Sequence, residues 1–325
     1  MRYILRRLLY FIPTLLSVNL FVFVLFFVVN SPDHIAKQAL GEKASTPEMV
    51  QRWKEARGYA LPLFLNLKAK GMACVTQTIF FQKSLKMLWG EFGVSDMTLQ
   101  PIGPEILRRI PPSLCLTFTV FLASLLFNVV LAMTASANRN GRYDVCIQLV
   151  CVLLMSVSTL IYIIIGQYLF GKKLHLVPVS GFLPGFEMLR FLVLPVIIGI
   201  LANLGSGVRF YRTLFLEEMG KDYVRTARAK GLPEMKVLFV HVLKNALIPI
   251  LTNVPVQLLM LIMGSLLLEN FFSIPGMGGY TISAINAQDF AVVRTMVFLG
   301  SFLYMVGLLL TDLSYCLVDP RVKLS

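Results

Sequence analysis

Residue types that could carry catalysis are few in this chain and lie far apart. The three histidines stand alone in the sequence: His34, His175 and His241. Gly166-Gln-Tyr-Leu-Phe-Gly-Lys172 has the spacing of a phosphate-binding loop, but Lys173 follows where Ser or Thr must bind magnesium. Ser156 and Ser158 have no evident base and are expected to form hydrogen bonds between helices. The sequence therefore predicts no catalytic residue, no metal site and no cofactor.

The most informative charged stretch is Asp222-Tyr-Val-Arg-Thr-Ala-Arg-Ala-Lys-Gly231. Residues 214–230 are good helix formers without proline, and Gly231-Leu-Pro233 ends the pattern because glycine adopts positive φ and proline cannot continue a helix. A helix, a turn and a second helix are predicted, between two long apolar runs. Such a segment offers a surface to a soluble partner.

Individual side chains in this stretch have properties suited to that contact. Ala227 is small where close approach to another surface requires it, and Tyr223 can supply an anchor one turn earlier. Arg225, Arg228 and Lys230 can make charge-assisted contacts at the rim. Composition alone gives equal support to a second interpretation, in which the segment is an amphipathic helix at the membrane interface. Its Lys and Arg side chains would then contact anionic lipid head groups.

Composition places the chain among membrane proteins. Of its 325 residues 57% are hydrophobic and 14% charged, and the mean hydropathy is +0.74, too apolar for a soluble domain of this size. The net charge of +13 does not indicate nucleic-acid binding, because the basic residues are spread between apolar runs. The five cysteines form no metal-binding or disulfide pattern.

Six apolar runs approach the roughly 20 residues that a membrane-spanning helix needs. They are Leu8–Val29, Ser113–Ala137, Val145–Phe170, Phe191–Val208, Ala246–Leu268 and Val292–Leu317. Fifteen Lys and Arg flank them on one side, at the N-terminus, in loops 138–144 and 209–245 and in the tail, against four in the short loops of the other side. Both termini are therefore predicted to be cytoplasmic, because short cytoplasmic loops carry the excess of Lys and Arg.

The region between the first two spans is predicted to lie outside and to have structure of its own. Ser45-Thr-Pro-Glu48 is a helix start signal, and Met49–Arg57 should be helical up to Gly58. Met72–Phe81 is apolar but too short to span, so it should be buried beneath this region or lie at the interface. Pro104–Ile110 should lead into the second span, which Pro111-Pro112 begins.

Several separated motifs together resemble one family. Asp222–Leu232, followed by Asn245-Ala-Leu-Ile-Pro249, resembles the cytoplasmic coupling loop, the EAA loop, of type I ABC importer permeases, and more narrowly that of the dipeptide/oligopeptide/nickel branch. The general Glu-Ala-Ala and Gly positions correspond to Arg225, Thr226, Ala227 and Gly231, with the glycine one residue later. Four further segments resemble this branch: Arg6–Leu15, Leu176–Gly181, Glu269–Gly278 and Asp312–Arg321.

The resemblance implies an all-α polytopic membrane protein with six transmembrane helices and the type I ABC importer permease fold. The implied divisions are 1–30 for the cytoplasmic N-terminus and first span, 31–112 outside, 113–317 for a five-helix core containing the coupling loop 209–245, and 318–325 for a cytoplasmic tail. The implied coupling residues are Asp222, Tyr223, Arg225, Thr226, Ala227, Arg228, Lys230 and Gly231, with Asn245 and Pro249 joining them to the fifth span. Pro275, Gly276 and Gly278 are expected to face a receptor.

The resemblance also implies partners, location and cargo. A second homologous permease, two ATP-binding cassette ATPase subunits and an extracytoplasmic solute-binding protein are expected in a bacterial inner membrane, with no chemistry on this chain. Di- or oligopeptides are the favoured cargo, with a nickel chelate or a glutathione-like solute as alternatives. An ion-coupled carrier is disfavoured because Glu269 and Asp312 lie near span ends rather than at the midplane.

Overall fold

The computed structural model describes residues 2–41, 46–67, 70–183, 185 and 187–318. These residues are predominantly helical and contain no β-strand, only one isolated bridge between Val94 and Pro101. The all-α prediction is therefore confirmed. Ser45 of the predicted helix start and residues 319–325 of the predicted tail lie outside the described residues.

The helices follow one another along the chain. In order they are Arg2–Phe23, Val24–Val29 (π-helical), Pro32–Leu40, Pro47–Arg57, Ala73–Thr76, Ile79–Lys83, Leu85–Trp89 (3₁₀), Ile102–Ala137, Arg142–Ser156, Thr159–Gly166, Gln167–Lys173 (π-helical), Met188–Met219, Asp222–Ala229, Glu234–Lys236, Val237–Val242 (π-helical), Leu243–Met260, Leu261–Met263 (3₁₀), Leu266–Phe271, Met277–Asn286 and Phe290–Val318.

Six helical segments of the described chain are long and apolar enough to cross a membrane. They are Leu9–Val29, Ile102–Ala137, Met188–Met219, Glu234–Thr252, Val254–Phe271 and Phe290–Ser314. The fourth and fifth of these share the continuous helix Leu243–Met260 and together match the predicted fifth span. A bent helix pair between Arg142 and Lys173 matches the predicted third span, so each of the six predicted spans has a counterpart.

The third span is not the straight helix that the sequence predicted. Its two halves, Arg142–Ser156 and Thr159–Lys173, meet at 88°. Val157 between them is extended, and Ser158 starts the second half by accepting a hydrogen bond from the Leu160 amide at 3.4 Å. Ser156 donates to the carbonyl of Val152 in its own helix at 2.8 Å. The prediction that these serines join neighbouring helices is therefore wrong.

The second and fourth spans are longer than predicted. The second begins at Ile102 rather than Ser113 and continues through Pro111 and Pro112. A membrane-spanning helix tolerates proline because its freed backbone groups find other partners. The fourth continues to Met219, so the predicted loop 209–245 is helical over its first eleven residues.

The described chain divides into two compact units, residues 2–110 with 280–309 and residues 111–279 with 310–318. This division follows contacts, whereas the predicted domains follow the sides of a membrane, so the predicted domains remain a prediction. The first unit has an aromatic core in which Phe23 lies 5.0 Å from Phe80, and Phe27 lies 5.5 Å from Tyr59, between ring centroids.

Local signals correctly predicted one helix of this unit. The helix Pro47–Arg57 is capped at its start by Thr46, whose hydroxyl accepts a hydrogen bond from the Met49 amide, and at its end by Gly58, which has φ +73°.

The apolar run 72–81 consists of two parts that differ in burial. Ile79 is fully buried in the aromatic core, whereas Met72 is 87% exposed, so only its second part is buried as predicted.

A buried polar cluster fixes the loop around Asp96 in the first unit. Tyr59 donates to the Asp96 carboxylate at 2.9 Å, and the Ala291 amide donates to the same carboxylate at 3.1 Å. The Asp96 amide donates to Asp289 at 3.1 Å. Arg294 is 2% exposed and lies over the Phe27 ring. Burial raises the pKa of Asp96, and the charge of Arg294 opposes this.

In the second unit, a buried ion pair joins the third and fourth spans. Asp144 accepts two hydrogen bonds from the Arg212 guanidinium, both at 2.7 Å. The Asn140 amide donates to the same carboxylate at 3.0 Å. The side chains of Asp144 and Arg212 are only 2% and 16% exposed. Arg212 therefore holds the third and fourth spans together.

Candidate functional site

The charged stretch forms a separate short helix between the fourth and fifth spans. This helix, Asp222–Ala229, is called the coupling helix below. Asp222 lies in its first turn and Arg228 in its last, which suits the helix dipole. Gly231 follows with φ +72°, and a Cβ built on it would meet no atom within 4 Å. The glycine is therefore needed for the backbone turn and not for close packing.

One face of the coupling helix is buried against the chain's own helices. Val224 is fully buried and Ala227 is 4% exposed. Both belong to a core cluster with residues of the second, third, fourth and fifth spans: Ala132, Met133, Cys151, Val208, Phe215, Val237, Leu238, Val242 and Ala246. Because protein interiors are close-packed, this contact ties the coupling helix mechanically to four spans.

Tyr223 also contacts the chain's own helices. Its hydroxyl donates a hydrogen bond to Glu218 at the end of the fourth span, and the side chain of Asn245 donates to the same hydroxyl. Asn245 donates as well to the His241 carbonyl at 2.8 Å. Burial and the hydrogen bond to Glu218 raise the pKa of Tyr223 to about 12. Tyr223 therefore joins the coupling helix to the fourth and fifth spans.

The opposite face of the coupling helix is polar and exposed. The exposed residues of this helix include Asp222, Arg225, Thr226 and Arg228, and Lys230 and Gly231 in the turn that follows are exposed as well. Arg225 lies 3.5 Å from Asp222, with both side chains largely in solvent. Arg228 forms two hydrogen bonds with Glu234, at 2.6 and 3.2 Å. This face has the charge and the accessibility to meet a soluble partner.

Two of the predicted contact residues pack against the chain's own helices. Ala227 and Tyr223 were expected to meet another protein, but they pack within the chain, so their surface for a partner is small. Asn245 and Pro249 both lie in the helix Leu243–Met260 of the fifth span, although Asn245 was predicted to end the loop before that span. Pro249 has no N–H to donate to the carbonyl of Asn245, four residues earlier. That the segment couples to a partner remains a prediction.

The glycine-rich loop 275–279 folds around a buried carboxylate. Glu269 has no exposed surface and accepts hydrogen bonds from the amides of Ser265 and Gly279, both at 3.1 Å, and from the Ser113 hydroxyl. Ser113 in turn accepts from the Met277 amide at 2.6 Å. The loop is therefore anchored to the second span at Ser113 and to the end of the fifth span.

The three predicted receptor-facing residues differ in their access to solvent. Pro275 is exposed, whereas Gly276 and Gly278 are buried. A Cβ on Gly276 would overlap the Glu269 carboxylate, and one on Gly278 would lie 2.7 Å from the Ser265 carbonyl carbon. Of the three, Pro275 offers surface to a receptor, and that contact stays a prediction.

Sequence reasoning missed Glu269 and Asp144 as organising residues. Each is an acidic residue in or beside an apolar run, where a buried charge requires strong partners. That pattern was the available signal, but two of the partners that satisfy them, Ser113 for Glu269 and Arg212 for Asp144, lie far away in the sequence. Within the described residues, no group of three or more His, Cys, Asp or Glu could hold a metal ion.

Comparison with known proteins identifies the family. Residues 128–324 match the family described as binding-protein-dependent transport system inner membrane component. Residues 1–117 match the N-terminal family of binding-protein-dependent transport system membrane components. Together the two matches cover nearly the whole chain.

Individual relatives match over their full length. A Brucella abortus (strain 2308) protein, provisionally named a peptide transport system permease protein, is 32% identical over 98% of both chains. A dipeptide transport system permease protein of Lactococcus lactis subsp. cremoris (strain MG1363) is 32% identical over 99% of both. A glutathione transport system permease protein of Salmonella paratyphi A (strain ATCC 9150 / SARB42) is 29% identical over 99% of both.

These matches and the apolar helices together establish a multi-pass inner membrane protein. Its family consists of transport components that act with ATPase and substrate-binding partners. The chain belongs to the dipeptide/oligopeptide family of ABC importer permeases, within the binding-protein-dependent transport system inner membrane components.

Proposed function

We propose that this ABC importer permease carries peptides and that its coupling helix docks on a separate ATPase subunit. The observation that carries the docking proposal is the division of that helix into two faces. Val224 and Ala227 hold it to four spans, while Arg225, Thr226 and Arg228 remain exposed. A helix fixed to the transmembrane helices on one side and polar on the other can transmit a partner's movement to them.

The proposed arrangement has the coupling helix and both termini in the cytoplasm. Fifteen Lys and Arg on that side against four in the opposite short loops support this orientation. We propose a heterodimer with a second, related permease, two ATPase subunits and an extracytoplasmic binding protein. ATP binding would draw the ATPases and their docked coupling helices together, and the spans would then open the path outward. ATP hydrolysis would reverse the movement, with no catalytic residue on this chain.

Peptide cargo is favoured by the names of the similar proteins. Relatives with 32% identity are named for peptide or dipeptide transport, and relatives with 29% identity for glutathione transport. Glutathione is itself a small peptide, so both names point to amide-containing cargo. A nickel chelate is the alternative from the same branch.

The docking proposal is tested by charge reversal on the exposed face. Arg225→Glu removes a side chain that is 74% exposed, and its surface ion pair with Asp222 contributes at most about 1 kcal/mol. We expect the purified variant to keep the thermal midpoint of the wild type but to lose co-purifying ATPase subunits and ATP-driven uptake. Arg142→Glu is the matched control, since Arg142 is exposed at the start of the helix Arg142–Ser156, at an end of the third span that is predicted to lie on the same side.

Ala227→Glu is the informative contrast. It places a carboxylate in the buried cluster, so it should lower the thermal midpoint even in the isolated chain. Normal ATPase association and uptake in the Arg225→Glu variant would contradict docking through this face. Peptide uptake that fails in the wild-type complex, while a nickel chelate is transported, would contradict the peptide assignment.

A further inference from the structure

A cavity lies between the second, fourth and fifth spans in the second unit. Its volume is about 520 Å³, within the range of roughly 300–1,000 Å³ that is typical of small-molecule sites. The second span contributes Thr117, Ser124 and Asn128 to its wall. These residues recur on one helix face and extend over about 16 Å along the axis at 1.5 Å per residue. The polar residues thus form a line along the span.

Two of these groups are buried without a partner. Ser124 and Asn128 are 6% and 5% exposed. The Ser124 hydroxyl oxygen and Asn128 Oδ1 have no hydrogen-bond partner within the part of the chain that the structure describes. Thr117, in contrast, donates to the carbonyls of Ser113 and Leu261 at 2.7 and 3.0 Å. Unpaired buried polar groups are costly, so a ligand that pairs with them gains affinity.

The neighbouring helix fixes the position of Asn128. Gly207 of the fourth span faces it so closely that a Cβ at this position would overlap the Asn128 amide. Asn128 is therefore held between the two spans at the wall of the cavity. Its carbonyl oxygen is placed by packing before any ligand arrives, which lowers the entropic cost of binding.

The chemistry of the wall favours an amide ligand. Among the described residues that line the cavity, none is charged, and the polar members are hydroxyls and amides. Such groups pair with the N–H and C=O groups of a peptide backbone and are indifferent to its side chains. They do not supply the imidazole, thiolate or carboxylate ligands that would hold a metal ion.

We propose that this cavity is a binding site on the transport path that holds peptide cargo by its backbone. Asn128 and Ser124 accept hydrogen bonds from N–H groups of the cargo. The inference rests on the proposed peptide transport and adds the residues and the mode of recognition. In this mode of recognition, the cavity binds the amide groups of the cargo and not its charged groups.

The test compares trialanine with its backbone N-methylated analogue in proteoliposomes that contain the complete transporter. Uptake is normalised to the amount of peptide-loaded binding protein, so differences in receptor affinity cancel. The wild type should transport the methylated peptide about fivefold more slowly, the effect of one lost neutral hydrogen bond. Asn128→Leu and Ser124→Ala should each bring this ratio towards one by slowing the unmethylated peptide.

Controls separate this role from folding. Ser156→Ala removes a hydroxyl that bonds its own helix outside the cavity, so it should keep the wild-type ratio. Ser124→Ala deletes one oxygen only and remains informative if Asn128→Leu does not assemble. Unchanged ratios in both cavity variants would overturn the inference and would fit a cavity filled by lipid or by the second permease. Absence of all peptide uptake by the wild type would instead overturn the proposed function.

Discussion

Replacing Gly276 by alanine tests whether the glycine-rich loop depends on the buried Glu269. The added Cβ would overlap both the Glu269 carboxylate and the Ser113 hydroxyl, which belong to the polar cluster that anchors the loop. Neither neighbour can move easily. Glu269 is held by the amides of Ser265 and Gly279, and Ser113 by the amide of Met277.

The expected cost follows from two contributions. Overpacking of a well-packed site costs about 1–3 kcal/mol. Displacing the carboxylate weakens at least one hydrogen bond to a charged group, which contributes about 1.5–3 kcal/mol. The free energy of unfolding of Gly276→Ala should therefore fall by about 2.5–6 kcal/mol relative to the wild type.

Two other glycines provide matched controls. Gly231→Ala has open space around its Cβ but a left-handed backbone, so it should cost only about 1–2 kcal/mol. Gly103→Ala lies in the first turn of a helix, where the Cβ meets Phe92 at an ordinary 3.6 Å, and should stabilise by about 0.5–1 kcal/mol. The apparent thermal midpoints in detergent, at a fixed scan rate, should rank Gly103→Ala above Gly231→Ala and Gly231→Ala above Gly276→Ala.

A double-mutant cycle with Ser113→Ala identifies the cause. Ser113→Ala removes one of the two groups that the new Cβ would strike, so the combined loss should be smaller than the sum of the single losses by about 1 kcal/mol. A Gly276→Ala midpoint at or above that of Gly231→Ala would refute the reasoning. So would additivity of the two substitutions within about 0.5 kcal/mol.

Two further predictions concern buried charges. Burial, opposed by Arg294, raises the folded-state pKa of Asp96 above its unfolded value, so its stabilisation is fully present below the unfolded pKa and is lost as pH rises through the folded pKa. The thermal midpoint should rise as pH falls towards the unfolded pKa of Asp, about 3.9, less so in Asp96→Asn, and equal slopes would contradict this. Asp144→Ala leaves Arg212 buried and unpaired and should cost about 3–5 kcal/mol. Adding Arg212→Ala should recover part of that loss in the same melting assay, whereas strictly additive losses would contradict the pairing.

The sequence predicted well those features that local signals determine. Apolar runs of spanning length located all six spans. Pro47 and Gly58 bracketed a helix whose bounds are within two residues of the predicted ones. In each case the cause lies within a few residues of its effect, because capping and backbone φ preferences act locally.

Features that depend on distant partners could not be predicted in the same way. Ser158 looked like one polar residue in an apolar run, and its role as a helix cap depends on the extended Val157 beside it. The pair Val224 and Ala227, three residues apart, did mark one apolar helix face. The sequence gives no information on whether such a face packs inward or meets a partner, and only the cluster with Phe215 and Val242 decides it.

The packing of the coupling helix connects the two proposed sites. Val224 and Ala227 contact a cluster that includes Ala132 and Val208. Ala132 lies one turn after Asn128 on the same helix, and Val208 directly follows Gly207. A displacement of the coupling helix is therefore expected to reach the cavity wall through close-packed atoms. Because such coupling is reciprocal, cargo held at Asn128 should bias the coupling helix by the same free energy with which ATPase docking biases the cavity.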